Sequence, residues 1–409
     1  MSYRYMLAII IFFRAVSPAA SWGDEFRLVP SLSVKEDYNS NILFTVLSGK
    51  SDFITTISPG VEMIDRTENF NTDLLLRVDR LQYADNGALS STNQMYTGNF
   101  SYNPTPLLTI SAGAGYIRNS NPTLSISSTG FVSAPVPVNR ISSSLSADYK
   151  FSELTEGVVS YNYGTDYYNN PAYLDDISHN VTAGLVHDLG GYFPTLKETT
   201  NIGYSYYSFP GSRIDSVNGT LGFSWDFNET WSASVGPGIR HTWSEVPVTS
   251  YVEVFQEFQG QPFLVFLPVT EQLKNSSWGW VGTASLHYKT EHGGGDLSFS
   301  RDVIPAYGLN GAAEQNTLAI SSQYRLAYEL SALFSSGYYT LNSVAGGLSS
   351  QVIKQNSFRV NPGVRYDFSR DVSLESSYEY TMVDYPISRT QANRHVVSVR
   401  LNMQHAFFE

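Results

Sequence analysis

A chain of 409 residues carries 14% aromatic but only 15% charged residues, against roughly 25% charged in ordinary globular domains. Its net charge of −12 and its lack of cysteine disfavour nucleic acid as a partner and rule out disulfides and thiolate metal sites. The longest uninterrupted apolar run is nine residues, far short of the roughly 18–20 needed for a membrane-spanning helix.

Residues 1–21 read as a secretory signal peptide. Arg4 precedes the apolar stretch 5–13, and the small residues Ala19, Ala20 and Ser21 follow. A buried N-terminal strand or helix is the alternative reading, and Arg14 directly after the apolar core is unusual in a signal. Residues 22–409 then form one domain of period-two alternation. Phe26, Leu28, Pro30, Leu32 and Val34 alternate with Arg27, Ser31, Ser33 and Lys35. Phe53, Thr55, Ile57, Pro59, Val61 and Met63 share one face of the next strand. Phe70, Thr72, Leu74, Leu76 and Val78 then stand opposite Asp73, Arg77 and Asp79.

Strands over 96–102 and 108–116 meet at Asn103-Pro104-Thr105-Pro106, where two prolines beside an asparagine demand a turn. After a loop at 118–139, the alternation predicts strands at 141–151, 158–167, 181–189, 200–206, 217–227 and 231–243. The insertion 244–275 is the longest, and strands at 278–288, 297–303, 318–326, 332–339, 358–368, 372–382 and 395–403 complete the chain. About 18 strands result, within 16–20.

One local pattern recurs where strands reverse: Tyr149-Lys150-Phe151, Trp225-Asp226-Phe227 and Tyr366-Asp367-Phe368, each followed by a turn former. Tight turns at these marks alternate with longer connections all along the chain. The expected fold is therefore all-β: a single closed, up-and-down, antiparallel transmembrane β-barrel. Bacterial outer-membrane barrels have this even strand number, with short periplasmic turns and long extracellular loops. Closure follows from physics, because an open sheet edge in lipid leaves backbone groups unsatisfied at several kcal/mol each. Aromatics at both strand ends would form the two interfacial girdles. A soluble all-β protein with a tyrosine-filled core is the competing reading.

Apolar residues would face lipid and polar ones a wet lumen. That places Arg77 and Asp79 inside, and with them Arg359, Arg365, Glu375, Glu379 and Arg400. These charges either pair across strands and stiffen the wall or form a selectivity ladder. The apolar insertion 244–275, with Tyr251, Phe255, Phe263 and Phe266, reads as an extra hairpin. It is expected as a constriction element folded into the lumen, or else as a projecting loop, a cover on a neighbouring subunit or two further strands.

A hydrolase barrel would need a nucleophile beside a base. None of the seven histidines has Ser two residues on, where it would share a strand face. No phosphate loop or metal-ligand spacing occurs either. The expectation is a protein that is not an enzyme and has no cofactor.

The opening stretches Val34-Lys35-Glu36-Asp37-Tyr38-Asn39-Ser40-Asn41-Ile42 and Ser51-Asp52-Phe53-Ile54-Thr55-Thr56-Ile57-Ser58-Pro59-Gly60-Val61 resemble the outer-membrane β-barrel porins that accompany exopolysaccharide and exosortase-type export systems. The stretches 231–238 and 300–303 are similar in style. The last strand, 397–403, looks like the C-terminal signal read by the barrel-insertion machinery, although Glu409 follows Phe407-Phe408. The resemblance implies an outer-membrane location and a channel that passes polar solutes or takes part in polysaccharide export. Its partners would be outer-membrane lipid, the insertion machinery, export components and other copies of the chain. A non-conducting barrel that presents loops, as an adhesin, receptor or assembly protein, is the alternative.

Overall fold

Alternating strands satisfy their backbone only by pairing on both sides, and this chain does so without leaving an end. The structure, a computed structural model, describes residues 25–120, 137–171, 173–258, 261–306, 309–343, 346–350 and 352–407. The proposed signal 1–21 lies outside the described residues, as does most of the 118–139 loop. Eighteen strands follow in order: β1 (Glu25–Asn39), β2 (Asp52–Arg66), β3 (Phe70–Tyr83), β4 (Ser91–Thr105), β5 (Leu108–Asn119), β6 (Val138–Lys150), β7 (Thr155–Tyr168), β8 (Asp176–Asp188) and β9 (Leu196–Phe209). The second half comprises β10 (Ser212–Asp226), β11 (Trp231–Phe258), β12 (Gln261–Thr290), β13 (Gly293–Pro305), β14 (Ala312–Arg325), β15 (Leu330–Ser343), β16 (Ile353–Asp367), β17 (Val372–Tyr385) and β18 (Thr390–Gln404).

Each strand pairs antiparallel with the next, and β18 returns to β1, with Val34 opposite Leu401 and Lys35 opposite Arg400. Past the end of β18, Phe407 and Leu28 exchange backbone hydrogen bonds of 2.8 and 3.1 Å and prolong the seam. The expected closed, even-stranded antiparallel barrel is the observed fold. Eighteen strands about 4.8 Å apart and tilted near 40° enclose a ring about 35 Å across between backbones.

Both ends of the paired chain, Glu25 and Gln404, lie at one rim. Connections at this turn rim are short, and several share one geometry. Phe151, Phe227 and Phe368 each donate a backbone hydrogen bond to the residue that starts the next strand, at 2.9, 3.0 and 3.0 Å. Each of these rings also packs on the aromatic two residues earlier: Tyr149–Phe151 at 5.1 Å, Trp225–Phe227 at 4.7 Å and Tyr366–Phe368 at 5.0 Å. Residues two apart on a strand share a face, so both rings point outward, where they are exposed.

At the loop rim the strands run further than the alternation suggests. Most are 13–15 residues long, against the 9–11 needed to cross a bilayer. Their extra length replaces loop, so that β9 and β10 turn at 210–211 and β17 and β18 at 386–389.

The two faces are inverted relative to a soluble protein. Outward residues such as Leu185, Ile202, Leu221, Val235, Ile239, Val397 and Val399 are exposed, whereas Arg240, Thr381 and Arg394 are buried inside. On β18 the outward stripe from His395 to Met403 spans eight steps, or about 20 Å at a rise near 3.3 Å and a tilt near 40°. Among the described residues no helix is long and apolar enough to cross a membrane.

Candidate functional site

The site is the lumen where loops and charges narrow it toward the loop rim. On the adjacent strands β16, β17 and β18, Glu379 accepts from Arg359 Nε at 2.8 Å through one carboxylate oxygen and from the Arg394 guanidinium at 2.7 Å through the other. Thr381 Oγ1 adds a third donor at 3.1 Å. The 40–51 connection turns inward above this triad. Its Phe44, in the left-handed region at φ 52°, lies 5.0 Å from the Arg394 guanidinium carbon and packs on Val383 and Ala392. A bulky residue adopts that φ only when its surroundings hold it. Asn41 supplies the hold: its Nδ2 donates to the carbonyls of Thr45 (2.9 Å) and Asn393 (3.1 Å), and its Oδ1 accepts from Thr45 N at 3.0 Å.

The other candidates are more dispersed. Arg77 pairs with Asp79 on its own strand at 3.0 Å, and Arg365 likewise with Asp367 at 2.7 Å. Of the seven predicted charges, Arg359 and Glu379 are brought together across strands. Glu375 stands in register between Arg365 and Arg400, yet among the described residues neither Glu375 nor Arg400 makes an ion pair. Glu375 instead borders an open recess of about 520 Å³ on the β12–β17 wall, with His287, Asp296, Gln323 and Asn361. Across the lumen, on β5 to β7, the inward positions include Gly113, Gly115, Ser142, Ser144 and Asn162. Ser142, Ser144 and Asn162 are exposed, so this arc leaves the wider water path.

A second narrowing comes from the wall itself. The β12–β13 ladder ends where Gly282 faces Arg301. Beyond that point β13 stays paired with β14 but leaves β12. The outward-parity residues Val303 and Glu314 then meet the inward face of β9 to β11. Val303 joins a buried cluster with Tyr207, Phe209 and Ile214, and Tyr207 Oη donates to the Val303 carbonyl at 3.1 Å. Glu314 takes Arg240 on one carboxylate oxygen and Arg301 on the other. Gly279 beside Arg240 is a steric requirement, since a Cβ there would lie 2.7 Å from the guanidinium. Ser212 Oγ holds Asn310 and Ser244 Oγ holds the Gly347 carbonyl, both at 2.5 Å. The sheet thus overlaps itself, with the ends of β13 and β14 on the lumen side.

The insertion 244–275 is strand rather than loop. Val246–Phe258 and Gln261–Leu273 continue β11 and β12 as one hairpin, whose partner beyond Ser250 is its own other strand. Tyr251 is 70% exposed, Phe255 76% and Phe266 56%. The side chain of Phe263 lies outside the described residues. Alternating aromatics on a two-stranded ribbon have two faces to fill, and here these rings are exposed.

Reasoning from sequence missed Arg394, Arg240, Arg301, Glu314 and Phe44. Arg394 was within reach, because β18 begins five residues before the predicted start at His395 and carries Arg394, Val396, Ser398 and Arg400 on one face. Among the described residues no group of His, Asp or Glu is arranged to hold a metal ion.

No family model and no curated protein sequence matches the chain. Among solved structures it is similar to OccAB1 of Acinetobacter baumannii, at 11% identity and TM-score 0.47 over 96% of this chain and 99% of that one. The Pseudomonas aeruginosa OpdK structure with vanillate gives 6%, 0.44, 95% and 100%. The ferric-catecholate import receptor Fiu of E. coli K12, in its open form, gives 9%, 0.48, 93% and 82%.

Proposed function

We propose that the chain is an outer-membrane, porin-like channel for small polar solutes. The observation that carries this reading is the inverted polarity of a closed ring: apolar residues exposed outside, and Arg, Glu, Ser and Asn inside. A ring about 35 Å across is too wide for side chains alone to fill, so water enters. The two narrowings then set what passes. Outer-membrane lipid is the solvent of the outward face, and the β18 seam is the surface offered to the barrel-insertion machinery. Passage of a polysaccharide is the finer form of the reading, and it rests on the resemblance of the opening stretches. The test is planar-bilayer conductance of the purified full-length chain, followed by liposome uptake of neutral sugars of graded length. Stable ion channels that also pass mono- and disaccharides are expected. A chain that folds, as judged by heat-modifiable gel mobility, yet gives no channel would overturn the reading.

The second reading is a non-conducting barrel that presents its loop-rim elements to a partner. The exposed hairpin 246–273 favours it, and silent bilayers would support it.

A further inference from the structure

The β12–β13 split has the form of a zipper caught half open. Above Gly282, the β12 edge facing β13 has no backbone partner among the described residues, and above Arg301, β13 has none on that same side. Continuing their register would set Val281 opposite Asp302, Trp280 opposite Val303 and Gly279 opposite Ile304. Face parity agrees at each step, because Trp280 and Val303 both have outward parity. Side chains stand in for the missing ladder: Arg301 Nε donates to the Trp280 carbonyl at 3.3 Å, with its guanidinium 4.5 Å over the Trp280 ring, and Tyr207 Oη donates to the Val303 carbonyl at 3.1 Å.

We infer that the ends of β13 and β14, with Leu309–Gly311 and Gly346–Ser350, are a gate that moves between two packings of the same strand. In the packing seen here, Val303 is buried against Ile214 and Tyr207, and the apolar group Ala306, Ala313, Leu341 and Ile353 occupies lumen space. In the other packing, β13 zips onto β12, the barrel wall becomes continuous and that lumen space is vacated. Two discrete arrangements follow because strand pairing is quantised: residues 302–304 either join β12 or lie under β10. Glu314 is the latch. One oxygen holds Arg240 of the β11 wall, a tie that must part for β13 to swing, while the other holds Arg301 within the β13–β14 ribbon, which moves with it. The backbone hydrogen bonds that β12 forms on zipping offset the apolar packing that Val303 leaves behind in the lumen, which keeps the two states close in free energy. The opening rests on the channel reading above, whereas the re-pairing of strands does not.

The chain has no cysteine, so engineered pairs report cleanly. In the full-length protein, Trp280→Cys with Val303→Cys places thiols that form a disulfide only when the zipper closes. Ile214→Cys with Val303→Cys, bridged by a short bis-maleimide, locks the observed packing. Val303→Cys alone controls for the lost valine. Oxidation is expected to trap the 280/303 pair, read on a non-reducing gel, and to raise single-channel conductance by at least half, reversibly with dithiothreitol. Bridging 214/303 is expected to hold conductance at its lower level, and Glu314→Gln to increase the fraction of time spent at the higher one. Failure of the 280/303 pair to cross-link in folded protein overturns the gate whether or not current flows. Channels that ignore both cross-links overturn it as well. Silent bilayers with an efficient 280/303 cross-link would remove the channel reading and leave the two-state strand intact.

Discussion

Phe44 lies over Arg394, its ring centroid 5.0 Å from the guanidinium carbon, and so a loop residue covers a charge carried by the last strand. Removing the ring opens that charge to the mouth of the barrel. Phe44→Ala should shift the reversal potential of a salt gradient toward anion preference and raise conductance by less than twofold. Unchanged selectivity would mean that Arg394 stays covered by other atoms.

Glu379 bridges two guanidinium groups, and the Arg394 side chain is only 1% exposed. Breaking a buried pair by removing one partner costs about 3–5 kcal/mol, because a buried charge is left uncompensated. Glu379→Gln should lower the unfolding free energy read from a urea titration of the barrel by that order, whereas Glu375→Gln, at an open recess, should change it little. Equal effects from the two variants would count against the triad as a structural centre.

Deleting 251–270 should leave both folding and conductance as they are. The segment is the exposed end of a hairpin whose backbone pairs only within itself there. A rise in conductance on deletion would restore it as a constriction.

The aromatic pairs at the turn rim offer a graded test. Tyr366 and Phe368 meet at 5.0 Å and 69°, an edge-on arrangement worth about 0.5–1.5 kcal/mol beyond its area. Phe368→Ala should therefore lower stability in lipid by somewhat more than this, with the same loss for Phe227→Ala, and leave ion selectivity unchanged. Denaturant titration in vesicles, followed by tryptophan emission, measures it.

What was legible in the residues follows from what is local. Phe358, Val360, Val364 and Tyr366 alternate with Arg359, Asn361 and Arg365, and an alternation of two needs no knowledge of neighbours to assign faces. Strand number and closure followed from the recurrence of Tyr149-Lys150-Phe151 and its copies. Partners were another matter. Arg240 meets Glu314 across 74 positions of chain, and that contact exists because β13 leaves β12, a departure with no signature in either strand. Val303 continues the outward alternation of Leu297 and Phe299, so pattern alone assigns it to lipid, yet the overlap buries it on the lumen side of β10. The hairpin form of 244–275 was hard to read for a related reason. Tyr251 and Phe255 are apolar enough to suggest burial, and the period of two is the same in a projecting ribbon as in a wall.

The seam between β1 and β18 joins Val34 to Leu401, nearly the whole length of the chain apart. Contacts of such separation form last and slowly. Until β18 has formed, β1 therefore keeps one edge bare. Timing thus becomes a structural demand: a chain that stops a few residues early loses more than its tail, because β1 keeps an edge that no other strand of this molecule can cover.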